Sequence, residues 1–293
     1  MTSGKLAGTR VLVTGGSGRI GIETVRRLKA SGASVAALSN RPNAELVADR
    51  VIVGDARSES TVSDALREVD LVVHLAALAH RDIAPGFQVY STNVVSTYNV
   101  LAQAAERGVK RTVVAGSINR YGLPQGNRED ATPAYFPIDT DMPADVSDWY
   151  SLSKYNDENT SRMVNRRWGM DVITLRFPHT NTADALRTAS DQLSMDPRRG
   201  LTEGWSYLDV RDAARAIELG LLANTHGAYA FYLAADRTSV PYQTDQLLDR
   251  YASGVPRLVE FVGRQVPIDL TPARELIGFQ ARHELDLEVR ELP

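Results

Sequence analysis

Arg10-Val11-Leu12-Val13-Thr14-Gly15-Gly16-Ser17-Gly18-Arg19-Ile20-Gly21 is the stretch on which the fold turns. Residues 10–14 form a short apolar, β-branched run that suits a buried strand. Glycines follow at 15, 18 and 21, and a helical pattern then continues through Ser31. Each glycine has a separate use at such a junction. Gly15 allows a tight turn, Gly18 lets the backbone approach a pyrophosphate, and Gly21 lets the helix pack closely on the strand. The start of that helix presents free N–H groups and the positive end of its dipole to phosphates. Glycines also mark ordinary turns, so the stretch alone is a weak signal. A strand before it and a helix after it supply the context that a dinucleotide site requires.

Outward from this junction the alternation continues. Residues 34–39 (SVAALS), 51–53, 70–75 (DLVVHL) and 111–115 read as further strands, with helical patterns at 59–68 and 92–107. A helix at 149–168 precedes another strand at 171–177 (DVITLRF). Strands alternating with helices of this length imply βαβ units. The fold class is therefore α/β, a doubly wound parallel sheet of Rossmann type. Beyond Phe177 the pattern loosens, and residues 179–204 read as a loop-rich insertion around Pro197, Arg198, Arg199 and Gly200. An amphipathic helix at 209–222, a strand at 229–234 and a helix at 244–251 follow. A last short helix at 271–277 has Pro272 in its first turn and Gly278 past its end, as helix-capping preferences favour. The expected division is a core of residues 1–177, to which 205–235 returns, and a small substrate-binding lobe of 178–204 and 236–293.

The composition bounds the function. The chain has 293 residues, 43% hydrophobic and 24% charged, with a formal net charge of -3 and a pI near 6.0. Neither value suggests a nucleic acid or a membrane surface as partner, both of which favour basic patches. The absence of cysteine excludes disulfides, thiolate catalysis and Cys-based zinc sites. The histidines show no HExxH or facial-triad spacing, so no metal is expected. There is no apolar run of spanning length, and residues 1–10 lack the apolar core of a signal peptide. The expected location is cytoplasmic, and the expected partners are a small-molecule substrate and a second copy of the chain.

The second strand ends at Ser39-Asn40-Arg41. An NAD-selective site usually carries Asp or Glu there to accept from the ribose 2′-OH. Ser39 is neutral, and Arg41 could pair with a 2′-phosphate. This favours NADP, with NAD also possible; the plainer reading makes Arg41 a solvated loop charge before Pro42.

Tyr150-Ser151-Leu152-Ser153-Lys154 places Tyr and Lys four residues apart at the start of a helix, on one face. A phenol of pKa ~10 is a poor base at neutral pH. A neighbouring ammonium favours the phenolate, and such a Tyr can exchange a proton with an alcohol or carbonyl as hydride moves. Ser117 lies where the strand starting at Arg111 runs into a loop, and loops at such ends face the ligand crevice. Its hydroxyl can contact a substrate oxygen, or it can merely cap a turn.

With these residues in view, the chain resembles the extended short-chain dehydrogenase/reductases, in the NAD-dependent epimerase/dehydratase branch. The signs are the T-G-G-S-G-R-I-G loop at 14–21, Gly54-Asp55, His74-Leu75-Ala76-Ala77 and the Asn93, Thr97, Asn99 run. Ser117 before Tyr121-Gly122, the Tyr150/Lys154 pair, Leu175-Arg176-Phe177 and Tyr207-Leu208-Asp209-Val210-Arg211-Asp212 complete them. They come in the family's order and cover nearly the whole chain. The resemblance implies Tyr150 as acid/base, Lys154 as its partner and a ribose ligand, and Ser117 as the group that orients substrate. It implies coenzyme contacts from Gly15, Ser17, Gly18, Arg19, Ile20 and Gly21, and from Ser39, Asn40 and Arg41. Asp55 and Ala56 would hold the adenine, and Leu75, Ala76 and Ala77 would line the coenzyme. Asn93 would begin the helix behind the site, and Phe177, Pro178 and His179 would lie against the nicotinamide. Substrate contacts would come from Ser117, Asn119, His179 and Trp205.

Three departures bear on the substrate. His179 stands where the family often has Asn, and it is either an added polar contact or a packing residue. Trp205 and Ser206 stand where nucleotide-sugar enzymes of the family usually carry a diphosphate-binding Arg. The loop before Ser117 has Ala115 and Gly116 in place of the usual serines. An indole carries one N–H and no charge, so it cannot clamp a diphosphate, but it can stack on a sugar ring. The leading expectation is an NAD(P)-dependent oxidoreductase acting on a sugar-like hydroxyl or carbonyl. The alternative is a nucleotide-sugar epimerase or dehydratase with a tightly held coenzyme, for which Asp145 and Asp148 are the nearest added acids. A coenzyme-binding sensor without catalysis is a third class, and the intact Ser117, Tyr150 and Lys154 argue against it.

Overall fold

The computed structural model describes residues 4–128 and 130–292. β1 (Arg10–Thr14) leads through the glycine loop into α1 (Arg19–Ala30). There follow β2 (Ser34–Ser39), β3 (Arg50–Val53), α2 (Glu59–Ala65), β4 (Leu71–His74) and α3 (Gly86–Glu106). β5 (Arg111–Ser117), α4 (Trp149–Trp168) and β6 (Asp171–Phe177) complete the first half of the pattern. The rest comprises β7 (His179–Asn181), α5 (Ala183–Met195), β8 (Tyr207–Asp209), α6 (Val210–Leu222), β9 (Ala228–Tyr232), α7 (Thr244–Tyr251) and α8 (Thr271–Ile277). Short 3-10 turns occupy Ile118–Tyr121 and Pro197–Glu203.

Seven strands form one sheet in the order β3-β2-β1-β4-β5-β6-β9, every pair parallel. The strands are apolar almost throughout because both faces are covered. Successive side chains point to opposite faces. Val11, Val13, Val35, Val73, Val113 and Ile173 meet Val25 and Leu28 of α1 and Ala213 and Ile217 of α6. Leu12, Leu38, Val72, Val114 and Val172 meet Val62 of α2, Leu101 of α3 and Val164 of α4. The strand order reverses at β1, between β2 and β4, and ligands bind outside the C-terminal ends at such a switch point. A separate apolar cluster joins Ile118, Phe136 and Ile138 to Trp205, Tyr242, Leu247, Phe261 and Ile268. This second core carries the elements beyond the sheet and faces the same end of it.

Two expectations need correction. α3 begins at Gly86, not near residue 92. Its first turn buries Val89 but leaves Phe87 and Gln88 exposed, so it adds little apolar periodicity to read. Residues 179–204 are not loop-rich: they hold β7, α5 and a 3-10 turn, and β7 pairs with β8 in a second, two-stranded sheet. α5 buries only Leu186 and Ser190, a stripe too narrow and too polar to announce a helix.

Candidate active site

The glycine loop is shaped by close approach. Gly15 has φ +70°, and a Cβ there would lie 2.7 Å from the Ala76 nitrogen. A Cβ on Gly21 would lie 2.8 Å from the Gly16 carbonyl oxygen, so no larger residue lets α1 start where it does. At Gly18 the one neighbouring atom is the Gly15 oxygen, at 3.2 Å, and the other side is open. No side chain caps the N-terminus of α1, and its first turn holds no acid. Its leading amides are thus free to take a phosphate. The residues present fit the pyrophosphate of a dinucleotide.

A cleft of about 590 Å³ opens beside this loop. Gly15, Gly18, Arg19, Ile20 and Gly21 form one wall, Leu75 and Ala77 the floor, and Phe177, Pro178 and His179 the far side. Ser117, Asn119, Tyr150 and Lys154 line the same cleft. Of the expected coenzyme residues, Ser17, Ser39, Asn40, Arg41, Asp55, Ala56, Ala76 and Asn93 do not line it. Ser39 is buried and donates to the Ser17 hydroxyl. Asn40 and Arg41 are exposed. Asp55 is held by Arg57, whose Nε lies 2.9 Å from Oδ2, and that pairing first, against the effect of burial, holds its carboxyl below the usual range. Gly54 N donates to the Ser39 carbonyl at 2.8 Å, so the ends of β2 and β3 sit side by side.

The placement of Tyr150 and Lys154 depends on one helix end. Asp148 caps α4, its Oδ1 accepting from the amides of Tyr150 at 2.9 Å and Ser151 at 2.8 Å. Tyr150 and Lys154 follow on the buried face, 5% and 4% exposed. Lys154 Nζ donates to the Ala115 carbonyl and to Asp157 Oδ2, each at 3.0 Å. Burial alone would lower its pKa; the Asp157 carboxylate and Tyr150 reverse that, and the net shift is upward. Ser117 Oγ accepts from the Asn119 amide and from Asn119 Nδ2, each at 3.1 Å. With its lone pairs so occupied, its own O–H is free to donate into the cleft. His179 sits at the rim, where desolvation and then Arg19 disfavour its protonated form.

Two residues are not where the sequence reading placed them. Asn93 lies inside α3 and does not begin it. It is fully buried, accepting from Leu78 N at 2.7 Å and donating to Ser153 Oγ at 3.0 Å, so it braces the loop over the cleft from behind. Trp205 offers no open stacking face: it is 1% exposed, and its indole N–H is spent on the Pro197 carbonyl at 2.7 Å. It lines a second cavity of about 480 Å³, shared with Ser190, Arg199 and Tyr207. Conversely, Glu203 was not anticipated. It lines both cavities, with Pro124 and His179, and burial pushes its carboxyl up to about 7. Asp157 was also missed; nothing in its position marks it before α4 is folded against β5. Among the described residues, no group of three or more His, Cys, Asp or Glu could hold a metal.

Comparison with known proteins agrees with this geometry. The chain belongs to the NAD dependent epimerase/dehydratase family, whose model matches residues 11–229. It is an NAD(P)-dependent enzyme of the extended short-chain dehydrogenase/reductase type. It is similar to an L-arabinose 1-dehydrogenase (NAD(P)(+)) of Haloferax volcanii, at 33% identity over 62% of this chain and 72% of that one. It is also similar to a UDP-glucose 4-epimerase of Halalkalibacterium halodurans, at 27% identity over 59% of this chain and 52% of that one. The solved structure of a short-chain dehydrogenase/reductase superfamily protein from Agrobacterium tumefaciens, with bound NAD, superposes with TM-score 0.71 at 26% identity. That superposition covers 94% of this chain and 93% of the other. No helix among the described residues is long and apolar enough to cross a membrane.

Proposed function

We propose that the protein is an NADP-linked dehydrogenase or reductase acting on a sugar-like hydroxyl or carbonyl. The observation that carries this reading is that Ser117, Tyr150 and Lys154 line the same cleft as the phosphate loop. A bound nicotinamide coenzyme would supply the hydride exchange. Tyr150 Oη takes the proton from the substrate hydroxyl on oxidation and returns it on reduction. Lys154, fixed by Ala115 and Asp157, places a positive charge beside the phenol. Ser117 donates to the substrate oxygen and so fixes the reacting carbon. The coenzyme contacts are the residues named above from the glycine loop and the ends of β2 and β3, with Arg41 facing the 2′-phosphate. The small lobe, residues 178–204 and 236–293, supplies the substrate side, and the assembly is a homodimer through α3 and α4, where Val95, Tyr98 and Leu152 are exposed.

A nucleotide-sugar epimerase is the second reading, and the adjoining 480 Å³ cavity favours it, since it offers room beyond one sugar ring. A dehydratase loses support, because Asp148 does not line the cleft and Asp145 pairs with Arg128 on the surface. The test supplies NADP or NAD with neutral sugars, uronic acids and nucleotide sugars, and follows nicotinamide absorbance. Net reduction of coenzyme by an unsubstituted sugar is expected. Isomerisation of a nucleotide sugar without net coenzyme turnover would overturn the dehydrogenase reading.

A further inference from the structure

We propose that Glu203 is the specificity-determining residue of the substrate site, accepting hydrogen bonds from hydroxyls of an uncharged sugar or polyol remote from the reacting carbon. The inference rests on the dehydrogenase reading above and deepens it. Glu203 ends the 3-10 turn Pro197–Glu203 and is one of three residues, with Pro124 and His179, that line both the catalytic cleft and the second cavity. Its backbone is anchored on both sides. Its carbonyl accepts from Ser206 N at 3.1 Å and Ser206 Oγ at 2.6 Å, and the Tyr121 hydroxyl donates to the preceding Thr202 carbonyl. Among the described residues its carboxyl makes no hydrogen bond or ion pair. The side chain is half-buried and desolvation raises its pKa, so the carboxyl at the junction of the two cavities has acceptor capacity for a ligand's donors.

The charged and titratable groups around it leave that role open. In the cleft these are Arg19 from α1, His80, Tyr150 and Lys154 from α4, and His179 from β7. Arg199 and Tyr207 face it across the second cavity, and Tyr121 lies behind it. Lys154 is already paired with Asp157, and His179 is held toward its neutral form. Arg199 lines the second cavity with it and forms no ion pair among the described residues. A half-buried carboxylate with two acceptor oxygens suits neighbouring hydroxyls, and its charge disfavours a second anion such as a uronate or a diphosphate beside it. Hydroxyl donors hold the carboxylate form more tightly than the acid, so substrate binding weakens as pH falls through about 7.

The experiment measures KM and kcat between pH 5.5 and 8.5 for wild type, Glu203→Gln and Glu203→Asp. The substrates are neutral aldopentoses and aldohexoses, the matching uronic acids and UDP-sugars. Coenzyme binding by fluorescence and thermal unfolding report that each variant is folded. For wild type, KM for a neutral sugar should rise as pH falls below 7. In Glu203→Gln that dependence should vanish, with KM about tenfold or more higher, the size of one charged hydrogen bond, and a smaller change in kcat. Glu203→Asp should restore the pH dependence at an intermediate KM. If neutral sugars are turned over but Glu203→Gln keeps the wild-type KM and profile, Glu203 touches no substrate and the dehydrogenase reading stands alone. If UDP-sugars are processed and neutral sugars are not, both fall together.

Discussion

At the scale of single residues, the site is a set of buried polar groups whose partners decide what they can do. Tyr150 is 5% exposed and, among the described residues, is the one phenol that lines the cleft. Tyr150→Phe keeps the ring and its packing and removes the proton carrier. We expect kcat to fall by roughly 10²–10⁴, the usual contribution of a general acid/base, with coenzyme affinity retained. Near wild-type kcat would refute the assignment. Asp157 sets a second test. It is 1% exposed and lies 3.0 Å from Lys154 Nζ, so it offsets the very charge that assists the phenol. Asp157→Asn keeps an acceptor for Lys154, and its stability cost should stay below the ~3–5 kcal/mol of a buried pair that loses one partner outright. The unmasked ammonium favours a phenolate, so the limb of the pH–rate profile set by the acid/base should move to lower pH. An unmoved limb would show that Asp157 only fills space.

His74 gives a stability prediction with a definite sign. It is 3% exposed between Thr14 Oγ1, 2.8 Å from Nδ1, and Thr97 Oγ1, 3.1 Å from Nε2. Burial first, and Lys154 second, lower its pKa from 6.5 to about 3. The unfolded chain binds a proton there below 6.5 and the folded one does not until about 3. The stability is therefore complete above 6.5 and is lost as pH falls from 6.5 toward 3. Melting temperature should decline over that window, and His74→Gln should flatten the decline.

At the scale of elements, β2 and the turn before β8 carry the informative features. β2 ends at Ser39, with no carboxylate to accept from a ribose and with Arg41 exposed beyond it. We expect NADP to bind more tightly than NAD, and Ser39→Asp to reverse the order by repelling the 2′-phosphate. Titration of both coenzymes against both proteins checks this, and a wild-type preference for NAD would make Arg41 a surface charge only. The turn before β8 stores backbone strain: Trp205 has φ +50°, a conformation that costs a non-glycine residue roughly 1–2 kcal/mol. Packing holds it there. A Cβ on Gly200 would lie 2.9 Å from Trp205 Nε1, so Gly200→Ala must displace the indole from Pro197. A loss of roughly 1–3 kcal/mol is expected from such overpacking, read as a lower melting temperature.

At the scale of the whole molecule, the question is what fills the space between the sheet and the second core. UDP or dTDP added at millimolar concentration during turnover should inhibit weakly, because neither Trp205 nor Ser206 can clamp a diphosphate. Strong inhibition competitive with substrate, and not with coenzyme, would place a nucleotide in the cavity beside Glu203 and Arg199.

The sequence by itself determined the sheet, the glycine loop and the shared helix face of Tyr150 and Lys154, because these are local. Residues 10–21 carry the strand, turn and helix start in one run, and Tyr150 and Lys154 share a helix face by spacing alone. The doubly wound order follows from alternation and the right-handed crossover rule. Long-range packing decided the rest. A helix with a narrow, polar buried stripe, such as α5, has no periodicity strong enough to read. The direction of an indole depends on which carbonyl it meets, and Trp205 met Pro197. Glu203 and Asp157 look like any surface acid in a linear chain. Only burial against β5, β7 and the second core makes one a partner for Lys154 and leaves the other an unsatisfied carboxyl in the cleft, because desolvation depends on what the rest of the chain brings around a group.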